Sequence, residues 1–131
     1  MKCRFRCNCG KVFDGNENTQ TCPACGSMLD TGNCGAIQVY RQGNFMGMAV
    51  GMGIYIDDQP YGHIANKGSV RVVVPYGTHK IHMTHTSTRT CNDPLITVTP
   101  QAPVAFVKAH FADMGFSIKI DPANPSDMPP M

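Results

Sequence analysis

Short hydrophobic runs, and runs in which hydrophobic and polar residues alternate, recur throughout residues 36–120. Gly, Pro, Asn and Asp separate these runs, and no window of about 12 residues shows a helical period free of Gly or Pro. The pattern is typical of β-strands. The predicted strands lie near residues 36–41, 53–57, 62–65, 69–74, 79–86, 95–99, 103–111 and 116–120.

The connections between these runs have the composition of turns. Residues 57–60 and residues 66–68 predict hairpin connections, and the Pro-Tyr-Gly sequence of residues 75–77 separates the next pair of strands. Several short strands at a spacing of about 8–12 residues are typical of a β-sandwich or barrel. We therefore predict a mainly β fold in which residues 35–121 form an antiparallel β-sandwich of about 7–8 strands.

The first 34 residues differ in composition and contain a cysteine pattern. They hold six of the seven cysteines and too few apolar residues to form a core. The pairs Cys7/Cys9 and Cys22/Cys25 are each followed by glycine, which adopts the positive φ of a tight metal-binding loop at low cost. Four thiolates complete the tetrahedral shell that Zn²⁺ prefers, so the pattern predicts a zinc ribbon over residues 1–34 with one structural zinc.

Two alternatives concern the other uses of cysteine. A redox dithiol or disulfide pair is disfavoured, because both pairs have ribbon spacing, the number of cysteines is odd and no thioredoxin-like βαβ pattern accompanies them. Cys3 is a weaker substitute for Cys7 as a ligand, because the loop to Cys9 would lack knuckle geometry. We interpret Cys3, Cys34 and Cys91 as thiols that are buried or have no particular function.

Composition and charge limit the location and the partners. The chain has 131 residues, 15% of them charged, and a formal net charge of +2, so no general positive field directs it to nucleic acid or acidic lipid. No apolar run is long enough to span a membrane, and no signal-peptide pattern follows the first residues. Clustered cysteines that bind metal are typical of a reducing compartment, so we predict a cytoplasmic protein. The proline-rich tail, residues 122–131, is predicted to be disordered.

Histidines and methionines in the second segment are weak candidates for a further site. On a strand, alternation places His79 and His85 on the core side with Ile81 and Met83, and His82 outward. His79 and His85 would then lie roughly 20 Å apart, too far to share a metal, and we interpret all three as strand-end and surface histidines. The glycine-rich stretch contains Met46, Met48 and Met52. We expect these side chains to fill gaps in the hydrophobic core rather than to bind copper.

Phosphate-binding and catalytic patterns are also weak. Gly47, Gly51 and Gly53 precede a strand-like run, whereas a phosphate loop precedes a helix. Asp57 and Asp58 are adjacent, so they are expected to cap turn backbone rather than share a proton. A nucleophilic Cys91 activated by a histidine is only a formal possibility. We therefore predict that the protein is not an enzyme.

Several phrases of the second segment form a recognisable combination: a strand entering a polar turn with a following glycine, then a Pro-x-Gly-x-His turn entering an alternating strand. The residues concerned are Ile54, Tyr55, Ile56, Asp57, Asp58, Gly62, Pro75, Gly77, His79, Ile81 and Met83. Together they resemble the PEGA-type β-sandwich domains of unknown function, over roughly residues 36–120. The resemblance implies a binding or scaffolding module, in which the histidine of the Gly-x-His turn is structural, and it supplies no catalytic residues.

Nucleic-acid binding is the main alternative function. Lys2, Arg4, Arg6 and Lys11 flank the predicted ribbon, and Phe5 between the two arginines could stack on a base. Asp14, Glu17 and Asp30 offset this charge, and a solvated face with Phe5 packed on the ribbon is the simpler interpretation. The sequence thus favours a zinc-binding adaptor that recognises a protein, with nucleic-acid binding and a carbohydrate- or surface-binding sandwich as alternatives.

Overall fold

A computed structural model describes residues 2–16, 18–29, 31–42, 51–85, 90–112 and 117–128. Its strands are β1 (Lys2–Arg6), β2 (Val12–Asn16), β3 (Cys34–Arg41), β4 (Met52–Ile56), β5 (Gln59–Ile64), β6 (Ser69–Pro75), β7 (Gly77–Thr84), β8 (Thr90–Cys91), β9 (Leu95–Val98), β10 (Val104–Ala112) and β11 (Ser117–Pro122). The eight strands predicted from the sequence correspond to β3–β7 and β9–β11. Across the described ranges no helix is long and apolar enough to cross a membrane.

The strands form two sheets, as the predicted mainly β fold requires. The larger sheet has seven strands in the order β2-β1-β6-β3-β10-β11-β8, and the smaller has four in the order β5-β4-β7-β9. Alternating residues of both sheets build one apolar core; on β6, for example, Val70, Val72 and Val74 are buried and the residues between them are partly exposed. Met52 belongs to this core, whereas Met46, Met48 and Gly47 lie outside the described residues.

The larger sheet is mixed, where the sequence analysis expected antiparallel neighbours. Parallel pairing joins β1 to β6, β3 to β10 and β8 to β11. None of these pairs is consecutive along the chain, and the direction of such a pair depends on the path of the chain between its strands. A hydrophobic pattern identifies strands and their buried faces, but it does not contain this path.

The two predicted segments share one sheet. Strand β1 lies beside β6, with Cys3 opposite Arg71 and Arg4 opposite Val72, so the first hairpin continues the larger sheet of the sandwich. Strands β1 and β2 are therefore part of the larger sheet.

The segment predicted as a disordered tail is partly ordered. The backbone N–H of Ala123 donates to the carbonyl of Phe106, and a 3₁₀ turn follows at Pro125–Asp127. The side chain of Asp127 accepts a hydrogen bond from the N–H of Asn124, which caps this turn. Regular structure thus continues beyond residue 121 in the described part of the tail.

Candidate metal centre

The four predicted ligands lie in two turns that face each other. Cys7 and Cys9 occupy the turn between β1 and β2, and Cys22 and Cys25 occupy a turn closed by a bridge between Thr21 and Met28. In each turn the N–H of the glycine after the second cysteine donates to the carbonyl of the first cysteine, at 2.8 Å in the first turn and 3.0 Å in the second. The two knuckles predicted from the sequence are therefore formed by local backbone bonds.

The glycines of the knuckles adopt the expected conformation. Gly10 has a φ of 95° and Gly26 a φ of 75°. An L-residue with a side chain is strained there, so each glycine is required by the backbone path and not by packing. This confirms the reason given for the glycines in the CxCG and CPxCG sequences.

The four sulfur atoms have the spacing of a tetrahedral thiolate site. The Sγ atoms of Cys7 and Cys25 are 3.6 Å apart and those of Cys9 and Cys22 are 3.8 Å apart, and all four atoms lie within 4.8 Å of one another. Zinc–sulfur bonds of about 2.3 Å in a regular tetrahedron place the sulfurs about 3.8 Å apart. The structure thus brings together four cysteines that could hold one metal ion.

Hydrogen bonds to the sulfurs support negative charge on them. Backbone N–H groups of Cys25 and Ala24 donate to the thiol of Cys22 and hold its pKa below the ordinary value, although burial opposes them. The hydroxyl and the N–H of Ser27 lower the pKa of Cys25 to about 6. Donors aimed at a sulfur atom favour the thiolate, which is the form that binds metal.

Cys7 differs from these two in the direction in which its pKa is shifted. The N–H of Cys9 acts to lower the pKa of Cys7, but burial and the surrounding thiols outweigh this bond and raise the pKa to about 11. Cys7 and Cys22 are buried while Cys9 and Cys25 are exposed. A metal at the centre would therefore have one side against the protein and one side toward solvent.

The remaining cysteines are not part of this centre. Cys3 is buried on β1 and Cys34 is half-buried at the start of β3, and neither belongs to a metal-binding group among the described residues. The alternative in which Cys3 replaces Cys7 therefore has no support. Cys91, by contrast, lies with His82 and Asp93 in a second group of possible ligands, which the sequence analysis did not identify.

His79 and His82 lie on β7 and His85 directly follows it; their burial alternates as predicted, but two of the three are not at the surface. His79 and His85 are buried, and His85 contacts the ring of Phe111 edge-on at 5.1 Å. The ring nitrogens of His79 lie 2.6 Å from the carboxylate of Asp57 and 2.6 Å from the carbonyl of Pro75. Both partners are acceptors, so both bonds form together only when each ring nitrogen carries a proton.

Asp57 and Asp58 have the turn role that the sequence suggested. They form the turn between β4 and β5 with φ values of 51° and 67°. A carboxylate oxygen of Asp57 accepts the backbone N–H of Lys80 at 2.9 Å, and the other faces His79. Burial acts to raise the pKa of Asp57, but the bonds from His79 and Lys80 outweigh it and hold that pKa below its ordinary value.

Asp57→Asn is expected to lower the free energy of unfolding by about 1 kcal/mol at neutral pH, because 52% of the side chain is exposed and solvent screens its charge. A lowered pKa in the folded state means that the stabilisation is present above the ordinary value of 3.8 and is lost as the pH falls through the lower folded value. Denaturant unfolding at about pH 7 and at about pH 3 should therefore show a smaller difference at the acidic value.

Asp58→Asn is the matched control, since asparagine also tolerates positive φ. Among the described residues Asp58 forms an ion pair with Lys80 alone, at the surface, so this variant should stay within about 0.5 kcal/mol of the wild type. Equal effects of the two substitutions would contradict the role given to Asp57.

The two arginines of the first strand are held by intramolecular bonds. Arg4 donates to the carboxylate of Asp14 at 2.9 Å and to the carbonyls of Tyr61 and His63 at 3.2 and 2.7 Å. Arg6 donates to the carbonyl of Pro60 at 3.2 Å. All three carbonyls belong to β5, the edge strand of the smaller sheet. The two guanidinium groups therefore fasten the first hairpin to the second sheet.

The aromatic residue between these arginines is not available for stacking on a base. Phe5 is buried, and its ring stacks on that of Phe13 with centroids 5.5 Å apart. This agrees with the simpler interpretation in which Phe5 packs on the ribbon. No protein-family model, curated protein or solved structure matches the chain, so the resemblance to PEGA-type domains has no support beyond the residues that suggested it.

Proposed function

We propose that the protein is a non-enzymatic binding module in which one structural Zn²⁺ holds the first hairpin, and in which the surface beside the metal recognises a protein partner. The observation that carries this proposal is the group of four Sγ atoms with separations of 3.6 and 3.8 Å. The reducing cytoplasm is the compartment in which such thiols remain available to a metal.

Zinc is the metal that best suits this set of ligands. Four sulfurs in a tetrahedron are typical of zinc or of an iron–sulfur centre, and the sulfur separations here match those around one tetrahedral ion. Four thiolates also occupy every position of a tetrahedral shell, whereas a catalytic zinc keeps one position for water. A complete shell therefore supports a structural role for the metal.

An exposed apolar surface next to the metal supports a protein partner. Met28 follows the second knuckle and is 78% exposed, and Leu29 is partly exposed beside it. Both line a groove of about 490 Å³ that extends from the knuckles to Tyr61 and Pro75. Methionine is common at surfaces that bind proteins, because its flexible side chain adapts to the partner.

The contacts of the basic residues favour a protein over a nucleic acid as the partner. Arg4 and Arg6 donate to carbonyls of β5, and Arg4 is also paired with Asp14. Binding to phosphates would require these bonds to break, and the buried Phe5 offers no stacking surface.

The metal is tested by elemental analysis after dialysis against a weak chelator. We expect one tightly held equivalent of zinc in the wild type and its loss in Cys22→Ser, because three thiolates leave the shell open. Cys34→Ser changes a half-buried cysteine outside the group and should keep the zinc. Iron in place of zinc, or full retention of the metal by Cys22→Ser, would overturn this part of the proposal.

The partner is tested with point variants, because deletion of the ribbon would remove two strands from the larger sheet. Met28→Asp should reduce capture of the partner from a host extract about tenfold or more, as expected for a residue near the centre of an interface. Leu95→Asp is the matched control, since Leu95 is 69% exposed on the edge strand β9. Equal capture of the partner by the two variants would show that the partner does not bind the surface beside the knuckles. A salt-sensitive complex with an oligonucleotide would favour the nucleic-acid alternative.

A further inference from the structure

A second group of metal-binding side chains lies where the two sheets meet. His82 belongs to β7 of the smaller sheet, Cys91 to the edge strand β8 of the larger sheet, and Asp93 to the connection from β8 to β9. One potential ligand atom of each residue lies within 4.8 Å of the others, and all three side chains are half-buried. All three residues lie within 11 positions of one another in the sequence. Their side chains meet because a strand of the smaller sheet and a strand of the larger sheet lie side by side at this point.

The contacts within the group resemble a site prepared for a cation. The Nδ1 atom of His82 lies 2.6 Å from a carboxylate oxygen of Asp93. The sulfur of Cys91 is hydrogen-bonded to the same carboxylate, and backbone N–H groups of Asp93 and Met83 donate to it. Burial and the Asp93 carboxylate nevertheless outweigh these two donors and raise the pKa of the Cys91 thiol, so a bound metal would have to displace its proton.

The loop that carries two of the ligands is held in place by its central residue. The side chain of Asn92 donates to the carbonyl of Ile120 and accepts the N–H of the same residue, each at 2.9 Å. Asp93 has a φ of 48°, a conformation that L-residues other than Asn and Asp rarely adopt. The positions of Cys91 and Asp93 are therefore set by bonds to β11 before any ion binds.

We propose that His82, Cys91 and Asp93 bind a divalent cation of the zinc class, at a site separate from the four-cysteine centre. A sulfur, an imidazole nitrogen and a carboxylate oxygen are all ligands of zinc, and the thiolate and the carboxylate together neutralise its charge. Three protein ligands leave the fourth position for water. The ion would link β7 of the smaller sheet to β8 of the larger sheet.

Binding requires a small rearrangement with a defined proton balance. The imidazole of His82 binds through Nδ1 as the neutral tautomer with its proton on Nε2, the thiol proton of Cys91 leaves to solvent, and bonds from the metal to nitrogen, oxygen and sulfur replace the present hydrogen bonds. With bonds of about 2.0 Å, nitrogen and oxygen lie about 3.3 Å apart in a tetrahedron. The present 2.6 Å separation would therefore open by less than 1 Å.

A nucleophilic cysteine is the other use of these residue types. In that arrangement the histidine lies between the thiol and the carboxylate, so that it can accept the thiol proton. Here Asp93 occupies the middle position and is hydrogen-bonded to both Cys91 and His82. The order of the contacts therefore favours metal binding over nucleophilic catalysis.

The test is a titration of the zinc-loaded protein with Co²⁺ in the absence of oxygen, with protein-bound zinc measured before and after. We expect one equivalent of cobalt to produce thiolate-to-metal charge-transfer absorption while the first zinc stays bound, and added Zn²⁺ to remove that absorption. Cys91→Ser should abolish the band. His82→Gln and Asp93→Asn should weaken cobalt binding about tenfold or more.

Two variants provide matched controls. Cys34→Ser removes another half-buried cysteine. His110→Gln removes a histidine whose Nδ1 atom lies 3.8 Å from the carboxylate of Asp121 and which belongs to neither group of possible metal ligands among the described residues. Both should bind cobalt as the wild type does. Thermal unfolding without added metal shows whether each variant folds, and Asp93→Asn retains a residue suited to positive φ.

The outcomes separate this site from the first one. Absence of the charge-transfer band from a protein that retains its first zinc would overturn the proposal. A band that persists in Cys91→Ser, accompanied by release of zinc, would mean that cobalt had entered the four-cysteine centre and would also overturn it. Added zinc should raise the unfolding temperature of the wild type and leave that of Cys91→Ser unchanged.

Discussion

Removal of the proposed zinc from the four-cysteine group is expected to destabilise the whole molecule and not only residues 1–34. Without the metal the two knuckles lose the interaction that takes the place of a hydrophobic core. The turn that joins β1 to β2 is then no longer held in place. Strand β1 then separates from β6, and the guanidinium groups of Arg4 and Arg6 leave the carbonyls of β5. Both sheets of the sandwich lose contacts in the same event.

The expected decrease in the free energy of unfolding is several kcal/mol. Structural zinc contributes roughly 10–16 kcal/mol to the folding of isolated finger peptides, and a whole domain is stabilised by only about 5–15 kcal/mol. Thermal unfolding followed by circular dichroism, with and without a strong chelator, measures the change. Hydrogen exchange should show lower protection in β6 as well as in β1, because the two strands are paired.

Cys34→Ser separates loss of the metal from loss of a cysteine. This variant keeps all four ligands and should respond to the chelator as the wild type does. If the strands of the sandwich kept their unfolding temperature and their hydrogen-exchange protection after zinc removal, the ribbon would be an independent unit and the pairing of β1 with β6 would contribute little to stability.

Arg4→Met is expected to lower the free energy of unfolding by about 2–3 kcal/mol, because hydrogen bonds from a charged donor are each worth about 1.5–3 kcal/mol and the effects of a shared side chain do not add fully. The side chain is only 12% exposed, so methionine replaces its aliphatic volume but leaves two carbonyls of β5 and the carboxylate of Asp14 without this donor. Urea unfolding of the zinc-loaded variant measures the loss.

Lys11→Met tests whether the effect is one of general charge. Lys11 is exposed and its backbone carbonyl, which accepts the N–H of Cys7, is unaffected by the substitution. A change within about 0.5 kcal/mol is expected. If Arg4→Met were equally neutral in stability but lost affinity for an oligonucleotide, Arg4 would be a nucleic-acid contact rather than a structural one.

Local patterns were enough to predict much of the molecule. Alternation along β6 and β7 identifies the strands and their buried faces, because successive side chains of a strand point to opposite sides. The clustering of Cys7, Cys9, Cys22 and Cys25 was also predictable, because the residues that form each knuckle lie within a few positions of one another. The positive φ values of Gly10 and Gly26 follow from the same short-range geometry.

Contacts between distant segments were not predictable in this way. The sequence presented Arg4 and Arg6 as a basic face, and only the position of β5 beside them shows that their charges are used within the fold. His79 was read as a surface residue, yet Asp57 and Pro75 enclose its ring. In both cases the partner is a backbone or turn group of another segment, and its location depends on which strands the fold places side by side.

The sequence by itself determined the four-cysteine centre, the strands and the faces that they bury, because each of these depends on residues within one turn or one strand. Only the tertiary structure decided that β1 joins the sandwich beside β6, that three strand pairs are parallel, and that His82, Cys91 and Asp93 form a second group. The physical reason is that such contacts require a particular chain path, which follows from burying both sheets in one core.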